Sequence, residues 1–484
     1  MESLFLNAVD RRVFVKGVGF VSLGIVTGVM MGGCESILDQ IANRPVRRRL
    51  RTGSADVDAD IATYRTGVSL MKNLDTTNPS DPRSWANQAA IHGTISGGFL
   101  FCQHSPTLHF FDWHRGYLVY FERIIQKLTG NARFGLPYWN WNQDPAIHPA
   151  FLDPSSPLFL ARDNTTTAGV WEVSTAALDP ILGDTSFFTF ADQIEGTPHN
   201  TVHGVIGATM GTGGSPLDPI FWAHHNMVDY CWAKWNIELG NNNPNDPTWV
   251  NHPNEHLVDA DGNPVSVTAG ITTLMPLLSY RYESSAIGSN PAAMSAVAET
   301  KADYQKLEKR IREGAPVRFD IKQRVVVAEK ASMSIGRPFS IQTRALVRDF
   351  AAIVSRQSSD RLFISIDYAR LPPASDFVVR VFINHPEANR LTPPTDPHFA
   401  GSFAFFGTEP ATPTGHTHHP HFLINATDAV QRLKESGVLR DDTPISVQLV
   451  PVPFAGESKR PDAELVIDQL HLIVTPLIIN RGPQ

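Results

Sequence analysis

The chain changes its hydrophobic period once. Up to about Tyr282 the apolar positions recur at helical spacing, and from Val317 onward they alternate. The clearest helical stretch follows Asp112, which can cap it. Trp113, Tyr117, Tyr120, Phe121, Ile124 and Leu128 share one face, and Gly130 closes the helix. Asp81-Pro82 opens an earlier helix that Gly93 ends. Thr197-Pro198 and Asp218-Pro219 each place a capping side chain before a proline, which predicts two more. Between these, residues 145–192 are rich in Pro, Ser, Thr and Gly and are expected to form a long covering loop. Alternating runs at 317–321, 361–367, 377–383, 445–450 and 470–474 predict an antiparallel β-sandwich, with one helix over 427–437. Residues 292–313 carry the charge pattern of a solvated helix joining the two parts. The fold class is therefore a mainly α domain with long loops followed by an antiparallel β-sandwich.

Histidines fall on these helices at ligand spacing. His199 and His203 are four residues apart, one turn along a helix face. His225 follows a Gly-rich loop and lies about two turns into the next helix, on the face of Phe221, Asp229 and Trp232. Upstream, His92 ends one helix, His114 begins another, and Cys102-Gln103-His104 stands between them. Two sets of three imidazoles, without carboxylate among them, favour copper, zinc or iron. His148, His252 and His256 sit in loops and read as surface residues. His416, His418, His419 and His421 form a Pro-flanked cluster that is read as a solvated loop, with copper capture as the alternative.

Composition narrows the partners. The 484 residues carry a net charge of -7 and no basic stripe, which argues against nucleic acid as a partner. Three cysteines leave no disulfide framework. Cys231 lies in an aromatic helix and reads as buried packing. Residues 1–33 read as an export signal: Arg11-Arg12 resembles a twin-arginine motif, and Met31-Gly32-Gly33-Cys34 resembles a lipoprotein cleavage box. Lipidated Cys34 would tether the exported protein to a membrane, which also suggests a bacterial source and an extracytoplasmic site. Residues 34–55, with Arg47-Arg48-Arg49, are expected to be a solvated basic linker. The predicted organisation is then a helical domain at 56–290, a linker helix at 291–316 and a sandwich domain at 317–484.

The segments CQH, FDWHRGYL, LPYWNW, HNTVH and DPIFWAHHNMVD together resemble the tyrosinase and polyphenol oxidase (catechol oxidase) family. The resemblance covers about residues 56–283. It implies a four-helix bundle holding a type 3 binuclear copper site, with two copper ions per chain. By that resemblance His92, His104 and His114 bind the first copper, and His199, His203 and His225 the second. His225 is chosen over His224 because the family's ligand precedes the helix aspartate, here Asp229, by four residues. The His104–His114 spacing is one residue longer than is usual in the family, which leaves His109 as an alternative ligand. Cys102 resembles the family cysteine joined to the ligand, here His104, by a thioether. Glu195 and Asn200 match the pair that holds a water for deprotonating monophenols. The implied reaction is oxidation of phenols by dioxygen: o-diphenols to o-quinones, with ortho-hydroxylation of monophenols. A catechol oxidase without the second activity, an oxygen-binding protein and a copper-storage protein are the alternatives. The loop at 211–214, Gly-Thr-Gly-Gly, suggests an open approach to the metals, and the C-terminal part resembles a domain that acts as an intramolecular lid.

Overall fold

The structure, a computed structural model, describes residues 44–283 except 97 and 106, and residues 321–354, 360–408 and 419–476. The expected signal at 1–33, the linker helix, the run at 317–320, His416 and His418 lie outside the described residues.

In chain order the first part contains β1 (Val46–Arg47), α1 (Ala55–Thr77), α2 (Trp85–His92), the short hairpin β2 (Gly93–Thr94) and β3 (Gly98–Phe99), and α3 (Phe110–Thr129). It continues through α4 (Thr175–Gly183), α5 (Phe187–Ile194), a π-turn at Glu195–His199, α6 (Asn200–Ile206) and α7 (Ile220–Ala233). A hairpin of β4 (Pro253–Val258) and β5 (Pro264–Thr268) and the strand β6 (Arg281–Tyr282) complete it. Helix α3 is the centre. Phe110 through Glu122 are all buried, and Gly130 ends the helix in the left-handed region at φ 70°. Helix α2 starts at Ser84, whose hydroxyl accepts from the Asn87 amide, three residues later than Asp81-Pro82 suggests. Among the described residues no helix is long and apolar enough to cross a membrane.

Three expectations are corrected here. The stretch 145–192 is irregular only in its first half. Ser174 and Ser186 cap α4 and α5 through their hydroxyls. Phe187, Phe190, Ala191 and Ile194 then recur at helical spacing and are buried, with Phe190 stacked on Trp235 at 4.5 Å. Thr197 is not an N-cap. The chain enters from α5 without a break, and the turn widens where Pro198 has no amide hydrogen to offer. The Thr197 hydroxyl instead donates to the Ser402 carbonyl at 2.6 Å.

The third correction concerns the basic linker. Residues 44–51 are not a solvated tether: β1 pairs in parallel with β6, and the Arg47 side chain is fully buried. Its guanidinium donates to Glu122 of α3 at 2.9 Å and to Asn226 and Asp229 of α7, and lies 3.5 Å above the Tyr280 ring. Asp229 also accepts from Arg115, Tyr280 and Tyr282. A charge removed from water this completely persists only when it is paired, here with the carboxylates of Glu122 and Asp229. The three-arginine run supplies one pin, while Arg48 and Arg49 bind Asp60 and Asp144 at the surface.

The second part holds β7 (Gln323–Ser334), β8 (Phe339–Leu346), β9 (Asp360–Tyr368), β10 (Phe377–Ile383), β11 (Phe399–Ala404), β12 (His421–Asn425), helix α8 (Thr427–Glu435), β13 (Pro444–Pro453) and β14 (Glu464–Pro476). Two antiparallel four-stranded sheets form the sandwich, ordered β11-β10-β13-β8 and β12-β9-β14-β7. Leu362, Ile364, Val379, Val381, Val447, Leu449, Leu470 and Leu472 fill the space between them. The opposite face of β9 and β12, with Phe363 and Leu423, packs on Phe188 of α5.

Arg47→Ala leaves Glu122 and Asp229 buried without their main cation. A destabilisation of about 3–5 kcal/mol is expected, read as a fall in thermal midpoint. A loss below about 1 kcal/mol would mean that the pin is dispensable.

Candidate metal centre

Helix α2 delivers His92, the loop after β3 delivers His104, and α3 delivers His114. The three rings lie 5.6 to 5.9 Å apart between centroids. Helix α6 and the π-turn deliver His203 and His199, and α7 delivers His225, whose Nε2 stands 3.3 Å from Nε2 of each. The His114 and His225 rings stack at 4.4 Å, so the two sets share one wall. Within each set the ligand atoms lie within 4.8 Å of one another. His225 sits one helical turn before Asp229, so the buried network around Arg47 fixes the rotation of α7 and with it this ring.

Five of the six imidazoles have Nδ1 anchored. His92 meets the Gly213 carbonyl at 2.8 Å, His104 the Glu195 carboxylate at 3.0 Å, His114 the Phe110 carbonyl at 2.7 Å, His199 the Asn200 oxygen at 2.8 Å and His203 the Met210 carbonyl at 2.6 Å. An anchored Nδ1–H leaves Nε2 with its lone pair free to face a metal. Nε2 of His92, His104 and His114 is buried without a partner. Burial lowers the His92 pKa to about 4 and takes His114, His199, His203 and His225 well below the usual histidine value, so these rings are neutral. Neutral imidazoles with buried, unsatisfied nitrogens are a donor set that fits two copper ions.

The placement settles which rings are brought together. His104, not His109, joins His92 and His114. His109 turns away, with Nδ1 3.2 Å from Asp112 and its ring stacked on His252 at 3.6 Å. His224 is the residue that the sequence argument set aside and the structure includes. It is fully buried, both ring nitrogens lack partners, and it stacks on His199 at 5.3 Å. His225 rather than His224 is the ring that reaches the first set. His148 caps a short turn, His256 stacks on Phe101, and His421 pairs with Asp367 at 2.7 Å.

Glu195 and Asn200 each hold a ring of the site. Glu195 accepts from His104 and from the Ser105 amide, while Asn200 accepts from His199 and donates to the Ala404 carbonyl of β11 at 2.8 Å. Between them lies a cavity of ≈ 20 Å³, room for about one water, lined also by Phe406 and His421. Cys102 is buried and its thiol donates to the His92 carbonyl at 3.2 Å.

The approach is not open at the glycine loop. A Cβ on Gly213 would lie 2.3 Å from the Gly98 carbonyl oxygen, because the β2–β3 hairpin lies directly on that loop. Phe406, just after β11, closes the remaining side. Its ring stacks on His203 at 3.8 Å and lies within 5.9 Å of His92, His104 and His199. The second domain thus covers the centre.

Comparison with known proteins agrees with this architecture. Residues 82–159 and 147–238 match the family model of the common central domain of tyrosinase, and residues 322–470 match a domain of unknown function, DUF7868. The chain is 27% identical over 466 residues to tyrosinase HcTyr1 of Hahella sp. (strain CCB-MM4), covering 81% of this chain and 93% of that one. It is 25% identical over 457 residues to the chloroplastic polyphenol oxidase A of Solanum lycopersicum, covering 81% and 68%. A solved structure of recombinantly expressed latent aurone synthase, a polyphenol oxidase, shares the fold at a TM-score of 0.61, with 18% identity over 90% of each chain.

Copper content separates the two candidate rings of the first set. His104→Ala is expected to lose about one of two bound copper ions by metal analysis, and His109→Ala to keep both. The reverse result would assign the ligand to His109.

Proposed function

As the chain belongs to the tyrosinase and polyphenol oxidase family of type 3 copper proteins, we propose that it oxidises o-diphenols to o-quinones and hydroxylates monophenols, and that its second domain holds it latent. The observation that carries this reading is the pair of buried imidazole sets capped by Phe406. His92, His104 and His114 would hold one copper, and His199, His203 and His225 the other. The bound copper pair supplies the passage of electrons from phenol to dioxygen. Each diphenol gives up two electrons and two protons, and two diphenols reduce one dioxygen to water.

The chain's own residues do the rest. Glu195 and Asn200 hold the Nδ1 protons of His104 and His199, which fixes both tautomers and ring planes. The cavity between them supports the further role for monophenols. A water there can take the proton of a phenol whose pKa is ~10, with Glu195 as the carboxylate behind it. Removal of β11 would free the Asn200 amide from Ala404 and open the same cavity. The hydroxylating state is therefore the uncovered state.

Export and anchoring belong to the same proposal. The Arg11-Arg12 motif supports twin-arginine export of the folded protein to an extracytoplasmic, periplasmic location in a bacterium. Cys34 would then be the lipidated first residue. The thioether from Cys102 to His104 is likewise proposed from the Cys-x-His spacing; it replaces the thiol S–H and one ring C–H by an S–C bond, and dioxygen, the oxidant of the proposed reaction, would take up the two electrons and two protons. Intact mass tests both together: lipid on Cys34 in the membrane fraction, and two hydrogens missing until Cys102 is replaced by serine. An unmodified mass refutes both.

The oxidase reading is tested on copper-loaded full-length protein. Phe406→Ala is expected to raise diphenol turnover about tenfold or more over the wild type. In that background Asn200→Asp keeps an oxygen for His199 but loses the amide hydrogens. It should lower monophenol turnover about 10–100-fold relative to diphenol turnover. Absence of quinone from any diphenol would overturn the oxidase reading in favour of oxygen binding or copper storage. Equal loss on both substrates would confine Asn200 to orienting His199.

A further inference from the structure

The Phe406 ring shows where an aromatic ring fits beside the centre. Among the described residues five rings surround it. Four are histidines already placed in the metal sets, and the fifth is Phe99 of β3, at 4.9 Å. Phe99 is buried, lies 4.8 Å from the His104 ring and 5.7 Å from His92, and belongs to the helical domain rather than to the cover. It also meets the cover directly. A Cβ on Gly407, which has φ +78°, would fall 2.9 Å from Phe99 Cζ.

The position of Phe99 follows from glycines. Gly93, Gly98 and Gly213 let the hairpin and the 211–214 loop touch backbone to backbone, since a Cβ on Gly93 would lie 2.8 Å from the Gly213 oxygen. Gly98 turns the strand at φ 82°. With that close approach β3 slides inward and projects its one large side chain over the first set. Where the Gly-rich loop brings only backbone to the first set, through the Gly213 carbonyl on His92, β3 supplies the aromatic ring beside it.

We propose that Phe99 is the substrate-positioning wall of the centre, packing against Phe406 in the covered state and against the phenol ring once Phe406 has left. Phe406 is flanked by the face of His203 on one side and by Phe99 on another, and a phenol in the same slot has the same neighbours. Aromatic pairs prefer such offset or tilted contacts at 4.5–7 Å. Phe99 would thus set which rings enter and how they lie, while taking no part in proton or electron transfer. The proposal rests on the phenol-oxidising reading of the centre.

The test uses the full chain carrying Phe406→Ala, which vacates the slot. In copper-free protein the probe is phenol, which nothing there can oxidise, and binding is read by calorimetry. Adding Phe99→Ala is expected to weaken phenol binding about 3- to 10-fold, and Phe99→Leu by less. In copper-loaded protein the same change raises KM for catechol by a similar factor, leaves kcat within about twofold and leaves copper content unchanged. Phenol affinity indifferent to both Phe99 variants, or no phenol binding to Phe406→Ala at all, overturns the proposal. A joint fall of kcat and copper content with KM unchanged also overturns it, because Phe99 would then only support His92 and His104. If Phe99→Ala does not fold, Phe99→Leu decides by the same readouts. Phe99-dependent phenol binding without quinone formation would sink the oxidase reading and leave the slot standing. Quinone formation with KM indifferent to Phe99 would do the opposite.

Discussion

Seven imidazoles are buried side by side in the helical core, and the rest of the structure is arranged around that cost. Each ring of both sets is taken out of water, and Nε2 of His92, His104 and His114 is left without a protein partner. An unsatisfied buried polar atom costs about 1–3 kcal/mol. The expense is concentrated at the place where a metal would repay it. Anchoring five Nδ1 atoms to carbonyls, an amide and a carboxylate keeps the rings from turning over to satisfy themselves. The anchors of His92 and His104, Gly213 and Glu195, stand 121 and 91 residues from their rings, so the site exists only when these distant segments are folded together.

The Arg47 pin is the counterpart of that arrangement. One guanidinium joins the N-terminal strand, α3 and α7, which are the elements that carry His114 and His225. Asp229 would be raised by burial alone, yet Arg115 and Arg47 hold its carboxyl below the ordinary value. The network is therefore ionic and directional, and it sets helix rotation more sharply than apolar packing does. A buried charge cluster at one turn of α7 positions a neutral ring one turn earlier on the same face.

What was legible in the sequence follows burial. The central strands β9, β10, β13 and β14 are enclosed on both edges, carry clean apolar runs, and coincide with the predicted segments. The strands that were not predicted, β7, β8, β11 and β12, are the four edges, where Glu329, Lys330 and Arg344 face solvent and blur the alternation. Helices α2 and α3 were readable from their apolar period and their closing glycines, Gly93 and Gly130, but their starts were misplaced: α3 begins at Phe110, so Asp112 lies inside its first turn and does not cap it. Helix α5 was hidden in a Ser- and Thr-rich stretch, although Phe187, Phe190, Ala191 and Ile194 carry the period. Arg47 looked like solvated charge because its partners are 75 to 182 residues away. Spacing alone likewise could not place Phe406 or Phe99, which meet only in three dimensions.

The cover is tied to the centre by polar bonds as well as by a ring. Thr197 donates to Ser402, Asn200 to Ala404, and the Leu423 amide to Asp192, all from elements adjoining the second metal set. Asn200 has the tightest coupling, since one amide bonds a sandwich strand through its nitrogen and His199 through its oxygen. Polarisation along such a chain strengthens both bonds together. Loss of the strand therefore weakens the hold on a candidate ligand at the moment when the slot beside it opens. The same residue that helps to keep the centre shut also sets how firmly His199 is held when it is open. A lid of this kind would change the site's ligand geometry as well as its accessibility.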